Sequence, residues 1–154
     1  MSATVTEIHN YRPIDPQLAT SGQPNEAQLD AIAAEGYEVI INLALHDDPR
    51  YSLKDEAGTV QALGLDYIHI PVKFDAPTAK DLHAFFEAME HHAGRRVWVH
   101  CAANMRVTAF LGLFRVLRQG YSEEQAFAPM NSVWKPNPVW STFIASQLGK
   151  TSDG

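Results

Sequence analysis

The sequence predicts an α/β fold, a single domain whose central, mostly parallel sheet of about four or five strands is flanked by helices. Three observations predict it. Short apolar runs of strand length alternate with helical runs. Gly and Pro separate these runs at close intervals, and no repeat, linker or low-complexity stretch divides the chain. A length of 154 residues supplies one real core and leaves little room for a second. The expected domain is residues 1–154, with a core over about 14–120 and a C-terminal helical part over 121–150.

The elements follow in order. "PQLATSGQP" reads as a short strand ending in a turn. In "NEAQLDAIAAEG", Asn25 caps a helix, Gln28 completes a capping box, Leu29, Ile32 and Ala33 form the apolar stripe, and Gly36 stops it. "YEVIINLAL" is a buried strand. A polar loop, "HDDPRYS", leads to a helix in "LKDEAGTVQALG", capped by Ser52 and stopped near Gly64; its "KDE" run is expected on a solvated face. "DYIHIPV" is the next strand. "TAKDLHAFFEAMEHHAG" is an amphipathic helix capped by Thr78, with Leu82, Phe85, Phe86 and Met89 at helical spacing. "RRVWVH" is a strand, with Arg95 and Arg96 expected at the end of the sheet opposite its carboxyl edge. "RVTAFLGLFRVLRQG" is an apolar helix ending at Gly120, "SEEQAFAPM" a short helix capped by Ser122, and "PVWSTFIASQLG" the last helix. In "WKPNPVW" the tryptophans are expected to cover the core edge, or else to line the cleft.

Composition narrows the function classes. A net charge of −6 argues against a general nucleic-acid binder, which needs a basic face. No apolar run approaches the ~20 residues of a membrane-spanning helix, and "MSATVTEIHNYRP" lacks the regions of a secretory signal. A single cysteine excludes an internal disulfide and a thiolate cluster. Adjacent His91 and His92 point about 100° apart on a helix, and no HxxxH or CxxC spacing occurs, so no metal and no cofactor is expected. The expectation is a cytoplasmic protein with no nucleic-acid or membrane partner; the sequence leaves oligomeric state open.

Parallel sheets bind ligands at the carboxyl ends of their strands. His100 and Cys101 stand at such an end, in "VWVHCAANMRVTAF". A free thiol is mostly protonated at neutral pH. Here a following helix N-terminus and Arg106 both favour the thiolate. The small residues at the start of "AANM" let backbone N–H groups turn inward as an anion cradle, and Arg106 can grip two oxygens of a tetrahedral anion. Thr108 can donate to the thiolate from the first helical turn. This set suits attack on phosphorus with a covalent thiophosphate intermediate. The alternative for Cys101 is a small buried hydrophobe.

At "VHCAANMRVT" the chain resembles the cysteine-dependent protein tyrosine and dual-specificity phosphatase superfamily, and most closely a bacterial branch of small dual-specificity-like phosphatases. "PQLATSGQPNEAQLDAIAAEGYEVIINL" resembles that branch's opening strand, turn, helix and strand, and "LGLDYIHIPV" its next strand; the likeness runs from about Ile14 to Gly120. The resemblance implies a hydrolase that removes phosphate from a phosphorylated protein or small molecule. Cys101 would be the nucleophile and Arg106 the phosphate-binding arginine. His100 would orient the nucleophile, and Thr108 would help the thiolate leave. Ala102, Ala103, Asn104, Met105 and Val107 would line the substrate loop.

The chain departs from the superfamily pattern in one place. Four residues, not the usual five, separate Cys101 from Arg106; Thr108 keeps its usual distance, and Val107 stands where the arginine is expected. Asn104 either supplies a lost donor or braces the turn. The shorter gap is similar to the active loop of rhodanese-type sulfurtransferases, which carry a persulfide on the cysteine. A non-catalytic oxyanion- or phosphate-binding pseudophosphatase is the third alternative. In active members an aspartate on a movable loop supplies the leaving-group proton. Asp75 in "VKFDAPT" is the candidate; Asp47 and Asp48 follow the preceding strand and are further candidates, whereas Asp81 suits a helix N-terminus.

Overall fold

The computed structural model describes residues 4–45 and 53–149. Five four-residue strands form one sheet: β1 (Arg12–Asp15), β2 (Leu18–Ser21), β3 (Val39–Asn42), β4 (Asp66–His69) and β5 (Val97–His100). Their order is β1-β2-β5-β3-β4. β2, β5, β3 and β4 run parallel to one another, and β1 joins the edge antiparallel to β2. β5 is therefore central, and its carboxyl end opens between the ends of β2 and β3. The expected α/β class and sheet size both hold. β1 is an additional strand: "RPID" is short, half-exposed and contains a proline, which an edge position tolerates.

The helices are α1 (Glu26–Ala34), α2 (Glu56–Ala62), α3 (Ala79–His91), α4 (Met105–Gln119), α5 (Glu123–Ala126), α6 (Ala128–Val133) and α7 (Pro138–Gln147), preceded by a 3-10 turn over Val5–Glu7. α1 begins with the expected capping box, Asn25 with Gln28, and α3 with Thr78 as cap. α2 starts later than its sequence suggests: Asp55 caps it by accepting from the Gly58 N–H, and Ser52 lies outside the described residues. The expected single helix after Ser122 is two, which meet at Phe127. Pro129 stands in the first turn of α6, where its missing N–H costs no hydrogen bond.

Strand alternation sends the two faces of the sheet into separate cores. Val39, Ile41, Leu43, Val97, Val99 and Cys101 pack with residues of α3, α4 and α7, including Phe85, Phe86, Phe110 and Phe114. Ala19, Ile40 and Trp98 pack on the other face with Leu29 and Ile32 of α1 and Val60 of α2. By the same alternation His100 falls on the α1/α2 face while Cys101 falls on the α4 face. Arg95 pairs with Asp66, and Arg96 donates to the carbonyls of Pro16 and Glu35, at the opposite end of the strands from the cysteine. Among the described residues no helix is long and apolar enough to cross a membrane.

Candidate active site

The loop after β5 is shaped by where its carbonyl groups go. The Ala102 carbonyl accepts from the Gln23 N–H at 3.0 Å, and the Ala103 carbonyl accepts from Asn10 Nδ2 at 3.0 Å. The Asn104 carbonyl accepts from Thr108 Oγ1 at 2.7 Å and from the Thr108 N–H at 3.3 Å. The Cys101 carbonyl lies 3.3 Å from His100 Nδ1. Each of these carbonyls is thus held outward by protein. A peptide unit points its N–H opposite to its C=O, so this arrangement turns the N–H groups of the loop the other way. The bridge to Gly22 engages the Asn104 side of the loop, whereas the N–H groups of Ala102, Met105 and Arg106 donate to no acceptor among the described residues. The result is a set of unpaired loop donors, as an anion cradle requires.

Two details make the turn possible. Asn104 has φ 66°, a left-handed conformation that Asn tolerates better than most residues. Its Nδ2 donates to the Asn10 carbonyl at 2.9 Å and to Thr20 Oγ1 at 3.0 Å. Of its two expected roles, Asn104 therefore braces the turn. Gly22 bridges to Ala103, and a Cβ there would stand 2.6 Å from the Ala102 carbonyl oxygen. The loop can approach β2 this closely only over glycine.

Arg106 is 8% exposed. Its Nη1 donates to the Val72 carbonyl at 2.8 Å, its guanidinium lies 5.9 Å from the centre of the Phe74 ring, and its buried Nε has no partner. The 72–74 segment is tied down a second time, by Trp140 Nε1 donating to the Phe74 carbonyl at 2.6 Å. Asp75 continues this segment as an exposed turn residue. Asp47 and Asp48 lie outside the described residues. Asp81 is in the first turn of α3, as expected of a helix N-terminal carboxylate. Trp140 is fully buried, so "WKPNPVW" is core and also loop anchor.

Three features differ from expectation. Thr108 Oγ1 donates to the backbone, to Asn104 and at 3.2 Å to Met105, because a hydroxyl in a first helical turn readily finds the carbonyl four residues back. Cys101 is fully covered, so a phosphoryl group reaches its Sγ only if the covering groups move. Glu56, read as part of a solvated "KDE" face, is 1% exposed and lies 2.5 Å from His100 Nε2. Glu56, Gln23, Asn10 and Gly22 are site residues with no local signal in the sequence; each gains its role from a partner distant along the chain.

A mostly parallel five-stranded sheet, with a cysteine loop leaving its central strand for a helix, is the architecture of the cysteine-dependent phosphatases. Tk-PTP in its active form superposes with a TM-score of 0.71 at 22% identity, covering 91% of this chain and 94% of that one, which shows the fold. The chain belongs to the family described as DSP-PTPase phosphatase fused to NAD+ kinase, whose model matches residues 4–139. A solved structure of similar size, "Putative phosphatase (DUF442)" from Shewanella putrefaciens CN-32, is 34% identical with a TM-score of 0.83 over 94% of this chain and 95% of that one. The beta-lactamase hydrolase-like protein of Xylella fastidiosa strain Temecula1 is 34% identical over 106 residues, 68% of this chain. This chain spans about a quarter of that relative's length, 24% of it.

Proposed function

We propose that this chain is a single phosphatase-like domain over residues 1–154 that hydrolyses phosphomonoesters of a protein or small molecule through a cysteinyl-phosphate intermediate. The observation that carries this reading is the cradle itself. Carbonyls 101–104 are held outward, the N–H groups of Ala102, Met105 and Arg106 have no acceptor among the described residues, and the helix that follows carries a buried guanidinium with an unpartnered Nε. Cys101 Sγ attacks phosphorus, forming an S–P bond as the P–O bond to the leaving group breaks. Asp75 gives the leaving oxygen its proton. Water then attacks the same phosphorus, Asp75 takes the proton back, and phosphate leaves with the thiolate restored. The loop N–H groups and Arg106 stabilise the negative charge on the three equatorial oxygens, the term expected to contribute most to rate. Ala102, Ala103, Asn104, Met105 and Val107 supply the loop, and His100 and Thr108 hold its two ends.

The full cover over Cys101 favours one second reading, an oxyanion-binding module without turnover. Hydrolysis of an aryl phosphate by the wild type, Cys101→Ser and Arg106→Ala separates the two. The phosphatase reading expects turnover in the wild type alone, and no turnover above the Cys101→Ser background rejects it. The binding module expects vanadate or sulfate to bind with no hydrolysis. Asp75→Asn is expected to slow a poor leaving group far more than a good one; equal effects remove Asp75 from the acid role.

A further inference from the structure

His100 and Glu56 meet beneath the cysteine loop with both side chains fully buried. Alternation along β5 aims His100 at the α1/α2 side, and Glu56 opens α2 against it. Both ring nitrogens face acceptors. Nε2 lies 2.5 Å from Glu56 Oε2, and Nδ1 lies 3.3 Å from the Cys101 carbonyl. A carbonyl can only accept, so Nδ1 must carry hydrogen to bond it, and a neutral imidazole then has no second N–H for the carboxylate. The contact is satisfied only if the pair holds one proton more than a neutral ring beside an ionised carboxylate. Gln23 Nε2 donates to Glu56 Oε1 at 2.8 Å, which favours the ionised carboxylate and leaves the extra proton on the ring. The backbone of Gln23 holds the Ala102 carbonyl, so one residue braces both the pair and the cradle.

We infer that Glu56 is a positioning residue that keeps His100 doubly protonated. One N–H then bonds the Glu56 carboxylate and the other turns the Cys101 carbonyl away from the anion cradle, with a positive charge set one residue from the thiol. The effect on Cys101 is twofold. Its carbonyl is fixed outward, which aims the Ala102 N–H inward. The imidazolium also favours the thiolate, because an opposite charge close by stabilises the ionised form. Three further titratable groups among the described residues belong to this end of the sheet. Tyr67 on β4 is pushed up, first by burial and then by the Glu56 charge. His69 lies 2.6 Å from the Ala44 carbonyl, and Arg106 on α4 is turned to Val72.

Glu56→Gln tests the inference, because an amide at this position keeps shape and hydrogen bonds but cannot hold the charge. It accepts from Gln23 and donates to Nε2 of a neutral ring, whose Nδ1–H still reaches Cys101. The first readout is the thiolate ultraviolet absorbance against pH, with Cys101→Ser subtracted in each background. The midpoint is expected to rise by about one pH unit in Glu56→Gln. An unchanged or lowered midpoint in a folded variant overturns the inference. The second readout needs no variant at position 56: the ring nitrogen NMR shifts of His100 in the wild type at neutral pH. Both nitrogens are expected to be protonated, and one bare nitrogen overturns the inference even if Glu56→Gln does not fold. A third readout rests on the phosphatase reading. Aryl phosphate kcat below the thiol midpoint is expected to fall about tenfold in Glu56→Gln while KM stays within about twofold. A fall confined to KM removes the kinetic role. The first two readouts are independent of turnover, so a failed phosphatase assay and a failed inference are told apart.

Discussion

Replacing Asn104 separates the two things it does for the cysteine loop, since alanine and glycine fail differently. Either change deletes the hydrogen bonds to the Asn10 carbonyl at 2.9 Å and to Thr20 Oγ1 at 3.0 Å. The abandoned Asn10 carbonyl loses a partner in a part-buried place, a cost of about 1–3 kcal/mol. Thr20 loses less, because its hydroxyl still has the Arg12 carbonyl at 3.5 Å. Some of the cost is returned, since Asn104 Oδ1 is itself buried without a partner. Backbone conformation then divides the variants. At φ 66° alanine meets the Cβ strain of the left-handed region, about 1–2 kcal/mol, which glycine escapes.

The expected order of stability is wild type, then Asn104→Gly at about 1–2 kcal/mol lower, then Asn104→Ala at about 2–4 kcal/mol lower. Urea unfolding with a common m-value measures it. For a chain of this length each kcal/mol moves Tm by roughly 2–4 °C, so thermal melts resolve the order as well. Sulfate or vanadate binding is expected to weaken in both variants, because the Ala103 carbonyl and the Asn10 clamp share the same contact. An alanine variant as stable as the glycine variant refutes the strain argument. Unchanged anion binding in both refutes the claim that the brace shapes the cradle.

Gly112→Ala is expected to cost about 1–3 kcal/mol by overpacking, because a Cβ there would stand 2.2 Å from the Phe127 ring; chemical denaturation checks it. Trp140→Phe keeps a ring but strands the Phe74 carbonyl; a loss of about 1–3 kcal/mol is expected, and, if Asp75 is the acid, poor leaving groups suffer more than good ones in steady-state assays. Tyr67 predicts an alkaline loss of stability. Its phenol is raised from 10.0 in the folded protein, mainly by burial and then by Glu56. Above pH 10.0 the unfolded chain therefore holds fewer protons than the folded one, and stability falls until the folded value is passed. Tyr67→Phe is expected to flatten that alkaline limb in pH-dependent melts, and an unchanged slope excludes Tyr67 as its source.

What the sequence disclosed was what is encoded locally. The Asn25–Gln28 capping box, the Thr78 cap and the glycine ending α4 need only neighbours a few residues away, and all three stand where expected. The cysteine loop was legible because strand, thiol, arginine and helix follow one another without interruption. The errors share a different physical origin. Glu56 read as solvated because Lys54 and Asp55 precede it; partners distant along the chain, His100 and Gln23 among them, make its burial tolerable. Asn10 gave no signal because its worth lies in the Ala103 carbonyl, 93 residues on. β1 escaped notice because an edge strand need not alternate strongly, and the break at Phe127 because a proline two residues later is compatible with either a helix start or its interruption.

The short gap between Cys101 and Arg106 has a reason in the phase of α4. The helix begins at Met105, so positions 106 and 107 both belong to its first turn and differ by about 100° around the axis. Val107 is fully buried, in the same core as Val99 and Phe110. An arginine there would carry its charge among apolar side chains, at a cost of several kcal/mol. Arg106 instead faces the segment that carries Val72 and Phe74, where a carbonyl and a ring receive it. The four-residue spacing is thus the one that turns the guanidinium to Val72 and Phe74 with α4 in its present orientation. A fifth residue fits only if it lengthens the loop before Met105 and leaves the helix phase alone. The same contact ties Arg106 to the segment that runs on into Asp75, so the arginine and the acid of the proposed reaction are carried by two elements that meet at Val72.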